Sequence, residues 1–236
     1  MNVIIVAAGQ GNRLKPLTND IPKPLLQIEE KRIIEFNLTN LSALGIEKIN
    51  IVTGHQSEQF HRLIGNNYKS CRINYIHNSN YRNTDNMFSL WLAMTEIDGE
   101  FIFINGDVIV HKNVFERILS SDYDDICLID DHTKLVPDAM KVKIQKDKVV
   151  SFGRDLSGAD ARAIGLYKFS NSGFLKYFKQ IEYFINKGVI NKKIEPALER
   201  FIKGHDLNVL RVESLPWIEI DDLADLEKAK KIVKSM

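Results

Sequence analysis

The chain has 236 residues, enough for one substantial core, and its 44% hydrophobic and 27% charged residues are ordinary for a globular protein. The formal net charge is +1 and no basic block is present, which excludes the charge pattern of a nucleic-acid binder and favours a small-molecule ligand. The first apolar run ends at Ala8, well short of a signal-peptide core or a membrane span, so we expect a cytoplasmic chain without membrane contact.

The N-terminal stretch begins with an apolar run, 3–8, that predicts a strand buried on both faces, as in parallel sheets. Gly9 and Gly11 follow it, and glycines there let the backbone turn sharply and expose free N–H groups to phosphate oxygens. Arg13 adds a forked cation that suits phosphate geometry, and Lys23 stands between two prolines that restrict where its ammonium lies. We interpret the stretch as an anion site. On the glycines alone, a tight turn with a solvated Arg and Lys explains it equally well, because short glycine motifs often match by chance.

The next elements alternate between helix and strand. Apolar residues at helical spacing, followed by Gly45, predict a helix over 33–44; a strand over 49–52, a helix over 56–64 and a strand over 73–76 come after it. Such alternation is typical of a doubly wound, mostly parallel sheet, so we predict an α/β, Rossmann-like fold.

A polar segment, 78–85, precedes a run with helical spacing over 86–94. Asn86 opens this run and is a candidate helix cap. Trp91 and Met94 are interpreted as core residues rather than ligand contacts.

The apolar residues 101–104 predict a central strand, and Gly106 and Asp107 follow it. Ligands of open α/β sheets bind beyond the carboxyl ends of the strands, which makes Asp107 a candidate magnesium ligand. A simple Gly-Asp turn is the alternative.

From Asp125 onward the pattern changes. Short strand-like runs without intervening helices predict a small mixed or antiparallel extension that covers one end of the sheet, at 126–129, 140–144, 149–152 and 164–169. Helices are predicted over 171–186 and 194–203. Because no linker rich in Pro, Gly or Ser separates this part, we predict a single domain, 1–236, with halves 1–124 and 125–236.

Acidic residues near the C-terminus form a second cluster. If 217–221 is extended, Glu219 and Asp221 project from one face of the strand. Asp222 fits the N-cap of a final helix over 226–233, which leaves Asp221 as the second candidate metal ligand. Glu219 is interpreted as either a neighbour of the metal site or a solvated side chain.

Two motifs in the N-terminal stretch are long and specific, Ala7-Ala8-Gly9-Gln10-Gly11-Asn12-Arg13-Leu14-Lys15-Pro16-Leu17-Thr18 and Pro22-Lys23-Pro24-Leu25. Together they resemble the signature of the nucleotidyltransferase family that includes sugar-phosphate nucleotidylyltransferases and phosphocholine cytidylyltransferases. They match neither a dinucleotide fingerprint, which has a third glycine where this chain has Leu14, nor a P-loop, which needs Gly-Lys-Ser/Thr.

The resemblance implies a role for each matching residue. The loop would wrap the nucleoside triphosphate, with nucleotide-binding residues Ala7, Ala8, Gly9 and Gly11. Arg13 and Lys23 would be the catalytic cations that hold its phosphates, and Mg²⁺ would bridge phosphate to Asp107 and Asp221. In the cytidylyltransferase branch a loop with Asn and Ser lies beside the nucleoside, which assigns Asn86 and Ser89. Residues 1–124 would then bind the nucleotide, and 125–236 would bind the acceptor and complete the metal site.

The acceptor half departs from the sugar-phosphate members, which commonly carry Glu-Lys-Pro where 150–155 reads Val-Ser-Phe-Gly-Arg-Asp. It looks more like cytidylyltransferases acting on phosphocholine, aminoalkylphosphonates or inositol phosphate. Lys141 and Arg154 are the candidate acceptor-binding residues, with solvated strand residues as the alternative. A quaternary ammonium would want an aromatic cage, for which the candidates are Tyr81, Phe88, Tyr167 and Trp217.

The resemblance predicts a magnesium-dependent enzyme that transfers CMP from CTP to a small phosphorylated or phosphonate acceptor. The alternatives are a UTP- or TTP-dependent sugar-1-phosphate nucleotidylyltransferase and a non-catalytic, nucleotide-binding regulatory subunit. A metal-dependent glycosyltransferase would need an Asp-x-Asp, which Asp107-Val108-Ile109 does not provide. We keep a homodimer as a candidate assembly and expect Cys71 and Cys127 to be reduced, structural thiols.

Overall fold

The N-terminal apolar run forms the strand around which the sheet is built. In a computed structural model, which describes all 236 residues, this strand is β1 (Asn2–Ala7). Val3 and Ile5 pack on one face of the sheet and Ile4 on the other, and all three side chains are buried. A strand covered on both faces needs the continuous apolar run that the sequence provides.

The sheet strands and the short hairpin strands follow in chain order. They are β1 Asn2–Ala7, β2 Gln27–Ile28, β3 Lys31–Arg32, β4 Lys48–Thr53, β5 Asn67–Tyr68, β6 Cys71–His77, β7 Phe101–Asn105, β8 Val108–Val110, β9 Ile126–Asp130, β10 Lys141–Gln145, β11 Lys148–Gly153, β12 Ala161–Phe169, β13 Asn208–Arg211 and β14 Trp217–Glu219. The helices are α1 Ile33–Ala43, α2 Glu58–Leu63, α3 Asn86–Met94, α4 Lys112–Ser120, α5 Asn171–Ile185, α6 Glu195–Phe201 and α7 Leu223–Ile232.

Ten of these strands form one mixed sheet, in the order β10-β11-β13-β9-β12-β7-β1-β4-β6-β5. The centre is parallel, because β1 pairs in parallel with β4 and β7, and β4 pairs in parallel with β6. The second half adds β12, which is antiparallel to both β7 and β9, and the antiparallel pair β10 and β11. The predicted fold, a mostly parallel Rossmann-like sheet with a small mixed extension, is confirmed.

Helices cover both faces of the sheet. Apolar residues of α1, α2 and α4 pack against one face, and those of α3, α5 and α6 pack against the other. None of the seven helices has the length and apolar character needed to span a bilayer. Cys71 and Cys127 are buried and free, as expected for reduced thiols.

Several elements differ from the sequence-based prediction. The helix α4 was not predicted, and neither were the short strands β2, β3, β5, β8 and β13. The final helix begins at Leu223, three residues earlier than expected, and Asp222 caps it by accepting a hydrogen bond of 2.9 Å from the Asp225 N–H, as predicted. At α3 the cap is Asp85 rather than Asn86, which is the first helical residue.

Candidate active site

A cavity of about 350 Å³ opens beyond the carboxyl ends of the central parallel strands. Ala7, Ala8 and Gly9 leave β1 into this cavity, and Asn105 to Asp107 leave β7 beside them. Neighbouring parallel strands end at the same sheet edge, which is why residues about 100 positions apart in the chain form one wall.

Two glycines shape the loop wall. Gly11 has φ +62°, a left-handed conformation that favours glycine, and an added Cβ would lie 3.0 Å from Thr18 and 3.1 Å from Lys23. The Gly106 N–H donates to the Val6 carbonyl at 2.9 Å, and a Cβ there would lie 2.8 Å from that carbonyl oxygen. Gly11 therefore lets the loop pack closely against Thr18 and Lys23, and Gly106 lets the end of β7 pack closely against the end of β1.

The second carboxylate group reaches the cavity through a small antiparallel ladder. β14 pairs with β8, with Glu219 opposite Val108, and the Ile220 N–H donates to the Asp107 carbonyl at 3.0 Å. This ladder brings carboxylate oxygens of Asp107, Glu219 and Asp221 within 4.8 Å of one another.

The two predicted cations lie against these carboxylates. The Lys23 ammonium donates to Asp107 Oδ2 at 2.6 Å, to Asp221 Oδ1 at 3.3 Å and to the Ile220 carbonyl at 3.0 Å. The Arg13 guanidinium lies 2.5 Å from Asp221 Oδ1 and is more than half exposed to the cavity and solvent. Asp221 thus joins both cations in one charge network.

Burial and the neighbouring charges have opposite effects on the pKa values of Lys23 and Asp221. Burial alone would lower the pKa of Lys23, but Asp107 and Asp221 outweigh it and raise the pKa. Burial alone would raise the pKa of Asp221, yet the charges of Lys23 and Arg13 lower it. Burial, reinforced by the charges of Asp107 and Asp221, raises the pKa of Glu219 to about 7. At neutral pH the network therefore holds ionised Asp221 and Lys23 beside a Glu219 that is readily protonated.

The carboxylates fit a hard divalent cation. Asp107 Oδ1 is buried and has no hydrogen-bond partner, so one oxygen of the cluster is free to ligate. Together with Glu219 and Asp221, the donor set consists of carboxylate oxygens only, which suits Mg²⁺. Glu219 is the member whose role the sequence left open.

Glu219 is held from behind by a chain of contacts that the sequence did not reveal. Arg162 lies 3.1 Å from Glu219 Oε2, and its guanidinium stacks 4.5 Å from the ring of Trp217. The Trp217 indole N–H donates to Asp130 Oδ2 at 3.0 Å. Trp217 therefore packs behind the cluster and does not line the cavity.

We expect Asp130→Asn to lower the free energy of unfolding at pH 7 by about 1–3 kcal/mol. Burial alone would raise the pKa of Asp130, but hydrogen bonds from Thr133, His132 and Trp217 outweigh it and lower the pKa below its ordinary value. A lowered carboxyl pKa stabilises the fold above its unfolded-state pKa of about 4, and this contribution is lost as the pH falls through the lower folded-state pKa. Urea unfolding from pH 7 down to pH 3 measures it.

The control for this variant is Asp131→Asn, which removes a neighbouring, less buried carboxylate paired with Arg211 at 2.9 Å. This exposed ion pair should contribute at most about 1 kcal/mol. A stability difference between Asp130→Asn and the wild type that stays constant from pH 7 to pH 3 would contradict the assignment.

The nucleoside-side candidates lie together on another wall of the cavity. Ser89 is buried and accepts a hydrogen bond of 3.0 Å from the Asn78 amide, and both residues line the cavity. Asn86 also lines it, and its Oδ1 is buried without a hydrogen-bond donor. That oxygen is therefore available to accept a hydrogen bond from a ligand.

The two acceptor candidates differ in position. Arg154 lines the cavity, and its guanidinium donates to the Asp138 carbonyl. Lys141 does not line the cavity; its ammonium donates to the carbonyls of Pro137 and Arg154. Lys141 thus links the segment that contains Pro137 to the segment that contains Arg154. Direct contact of Lys141 with an acceptor stays a prediction.

Of the four aromatic candidates, Tyr81 and Tyr167 line the cavity, whereas Phe88 and Trp217 do not. Sequence reasoning missed Glu195, the first residue of α6, which lines the cavity beside Lys193 and Ile194. A glutamate in the first turn of a helix is common, because its charge interacts favourably with the helix dipole. No pattern in the sequence therefore indicates that Glu195 lines a cavity.

Comparison with known proteins places the chain among nucleotide-transferring enzymes. A family model described as nucleotidyl transferase matches residues 2–126. The choline-phosphate cytidylyltransferase of Streptococcus pneumoniae is 28% identical over 247 residues, covering 100% of this chain and 99% of that protein. The CMP-5'-(3-aminopropyl)phosphonate synthase of Streptomyces rubellomurinus is 26% identical over 249 residues, covering 97% of this chain but only 38% of that larger protein.

Solved structures agree with the fold. The CTP:phosphocholine cytidylyltransferase from Streptococcus pneumoniae matches with a TM-score of 0.81 and 26% identity, covering 98% of both chains. The inositol-1-phosphate CTP transferase from T. maritima matches with a TM-score of 0.84, covering 99% of this chain and 94% of that one. The latter is only 19% identical and supports the fold alone.

Proposed function

The chain belongs to the nucleotidyl transferase family, and from this premise we propose that it is a magnesium-dependent cytidylyltransferase. It would transfer CMP from CTP to a small phosphorylated or phosphonate acceptor and release pyrophosphate. The observation that carries the proposal is the meeting of Lys23 and Arg13 with Asp107 and Asp221 at the mouth of the glycine loop. A site that transfers a nucleotide from a nucleoside triphosphate needs cations to hold the phosphates and carboxylates to hold a metal.

The reaction requires no protein nucleophile. An oxygen of the acceptor's phosphate or phosphonate attacks the α-phosphorus of CTP and forms a new P–O bond. The bond from the α-phosphorus to the oxygen bridging to the β-phosphate breaks, and its electron pair leaves with pyrophosphate. Because the acceptor oxygen is already charged near neutral pH, no general base is needed.

Arg13 and Lys23 would offset charge on the triphosphate and on the departing pyrophosphate. Arg13 is more than half exposed and has the freedom to follow the phosphates, whereas Lys23 is mostly buried and fixed by three acceptors. Mg²⁺, when held by Asp107 and Asp221, would supply further neutralisation of phosphate charge. Arg162 would keep Glu219 oriented beside these ligands.

Two observations support cytosine as the base. Asn86 Oδ1 is a buried acceptor without a donor, and cytosine carries an exocyclic amine where uracil carries a carbonyl. In addition, a relative that this chain matches over its full length, the choline-phosphate enzyme of Streptococcus pneumoniae, is a cytidylyltransferase by name. Asn86 and Ser89 would therefore lie beside the base, with Ala7, Ala8, Gly9 and Gly11 along the nucleotide.

The test is pyrophosphate release with Mg²⁺, crossing CTP, UTP, TTP, ATP and GTP with phosphocholine, 2-aminoethylphosphonate, inositol phosphate and glucose-1-phosphate. We expect CTP to exceed UTP in kcat/KM by about 5- to 150-fold, since a buried polar group left unpaired costs about 1–3 kcal/mol. Turnover with UTP or TTP and glucose-1-phosphate would move the chain to the sugar-phosphate enzymes. Nucleotide binding without any turnover would favour a regulatory subunit.

A further inference from the structure

Glu195 is an acid inside the cavity that the proposed reaction does not use. It opens α6 and is half-buried, and it lies outside the Asp107, Glu219 and Asp221 cluster. Burial raises the pKa of Glu195, and the only hydrogen bond that lowers it comes from the backbone N–H of Glu195 itself. No lysine or arginine lies within ion-pair distance, although Lys193 and Arg154 line the same part of the cavity.

The surroundings of Glu195 leave its charge under-compensated. Burial raises the pKa of Glu195, and its own backbone N–H together with the charges of Lys193 and Arg154 offsets this effect only in part; the charge of Asp85 adds a smaller upward effect. The charge of Glu195 also contributes to raising the pKa of Tyr167 and Tyr177, after burial, and both of these residues are almost fully buried. A carboxylate in such a place is costly unless a cation or several donors meet it.

The same cavity supplies cations elsewhere for the anionic end of an acceptor. Arg154, the candidate acceptor ligand, lines the cavity, and Arg13 lies at the glycine loop with much of its guanidinium exposed. A small molecule with a phosphate or phosphonate at one end and a positive charge at the other would match both groups. An acceptor without a positive charge would leave Glu195 without an ion-pair partner.

The type of cation follows from the aromatic lining. A quaternary ammonium has no N–H and is recognised by aromatic faces. Only Tyr81 and Tyr167 line this cavity among the aromatic residues, and Tyr167 is 2% exposed, so no cage is present. A primary ammonium instead donates three hydrogen bonds, which a carboxylate accepts well.

We infer that the acceptor is a zwitterion, a small phosphate or phosphonate bearing a primary ammonium, and that Glu195 binds this ammonium and sets acceptor specificity. The inference rests on the proposed CMP transfer and narrows its acceptor. Glu195 would act by binding the acceptor. Its loss should therefore raise the KM for the acceptor and leave the KM for CTP unchanged.

The experiment compares three head groups that differ only at nitrogen: 2-aminoethylphosphonate, its N,N,N-trimethyl derivative and ethylphosphonate. The corresponding phosphate esters form a second series. With CTP and Mg²⁺, the wild type should prefer the primary amine over both others by about 10- to 100-fold in kcat/KM, as a charged hydrogen bond implies. Glu195→Gln should bring the three acceptors to within about threefold of one another, mainly by raising KM for the amine.

Glu96→Gln is the matched control, because Glu96 is exposed just after α3 and does not line the cavity. It should keep the wild-type preference. Glu195→Asp, which retains the charge, should keep the preference in weaker form, and the melting temperatures of all variants report their folding.

Each outcome bears on the inference. Equal use of the three head groups by the wild type, or equal losses for all three in Glu195→Gln, would overturn the role of Glu195 while leaving CMP transfer standing. A wild-type preference for the trimethyl or ethyl compound would also overturn it. Absence of CMP transfer to every acceptor would overturn the proposed function and this inference with it.

Discussion

Asp107→Asn is expected to lower kcat for pyrophosphate release by about 1,000-fold, because metal-assisted charge neutralisation is worth several kcal/mol and each 1.36 kcal/mol is tenfold. The substitution keeps the shape of the side chain but removes the charge beside its unpartnered Oδ1. Lys23 would still donate to Asp221 and to the Ile220 carbonyl, so the fold should persist. Steady-state kinetics and Mn²⁺ binding measure the two effects, and Mn²⁺ affinity should fall with kcat.

Asp222→Asn is the matched control. Asp222 is adjacent to Asp221, but its side chain caps α7 and is absent from the carboxylate cluster. Asparagine is also a good helix cap, so stability and kcat should both stay close to the wild type. An Asp107→Asn enzyme with full activity would remove Asp107 from the metal site.

Lys23→Met should change two measurements in opposite directions. Loss of the ammonium should reduce kcat by about 100- to 1,000-fold, the range for removing one preorganised group that stabilises developing charge. Metal affinity in the absence of nucleotide should rise by about tenfold, because the ammonium lies between Asp107 and Asp221 and competes with a divalent cation for their charge. Calorimetry with Mn²⁺ and pyrophosphate release test the pair of effects.

Lys15→Met provides the comparison, since Lys15 is exposed on the same loop and makes no ion pair with the cluster. It should leave both measurements within about twofold, as expected for a surface charge. A Lys23→Met variant with lower activity and unchanged or weaker metal binding would contradict the competition between Lys23 and the metal.

The sequence predicted those parts of the site that follow buried strands. Gly9, Gly11 and Asp107 come directly after continuous apolar runs, so the general rule for parallel sheets locates them. The pairing of β8 with β14 could not be predicted in the same way, because it joins two three-residue strands more than 100 residues apart. For this reason the sequence did not decide whether Glu219 lies beside the metal site or is solvated, and it did not reveal the contact of Glu219 with Arg162.

The missed elements have local reasons. α4 begins only five residues after Asp107 and has nine residues, so its apolar residues Val114, Phe115 and Ile118 form a short pattern directly behind the apolar strand β8. Glu195 lies on a helix of seven residues, too short for a clear amphipathic pattern, and only the three-dimensional packing turns it toward the cavity.

The ladder between β8 and β14 also determines when, during synthesis, the site can exist. A ribosome makes the loop with Gly11 and Lys23 first, and Asp221 follows 198 positions after Lys23. A nascent chain that has not yet released 217–221 has the nucleotide loop and Asp107 but lacks Glu219 and Asp221. A chain that lacks β14 and Asp221 therefore has no complete carboxylate cluster, even when the glycine loop and Asp107 are already present.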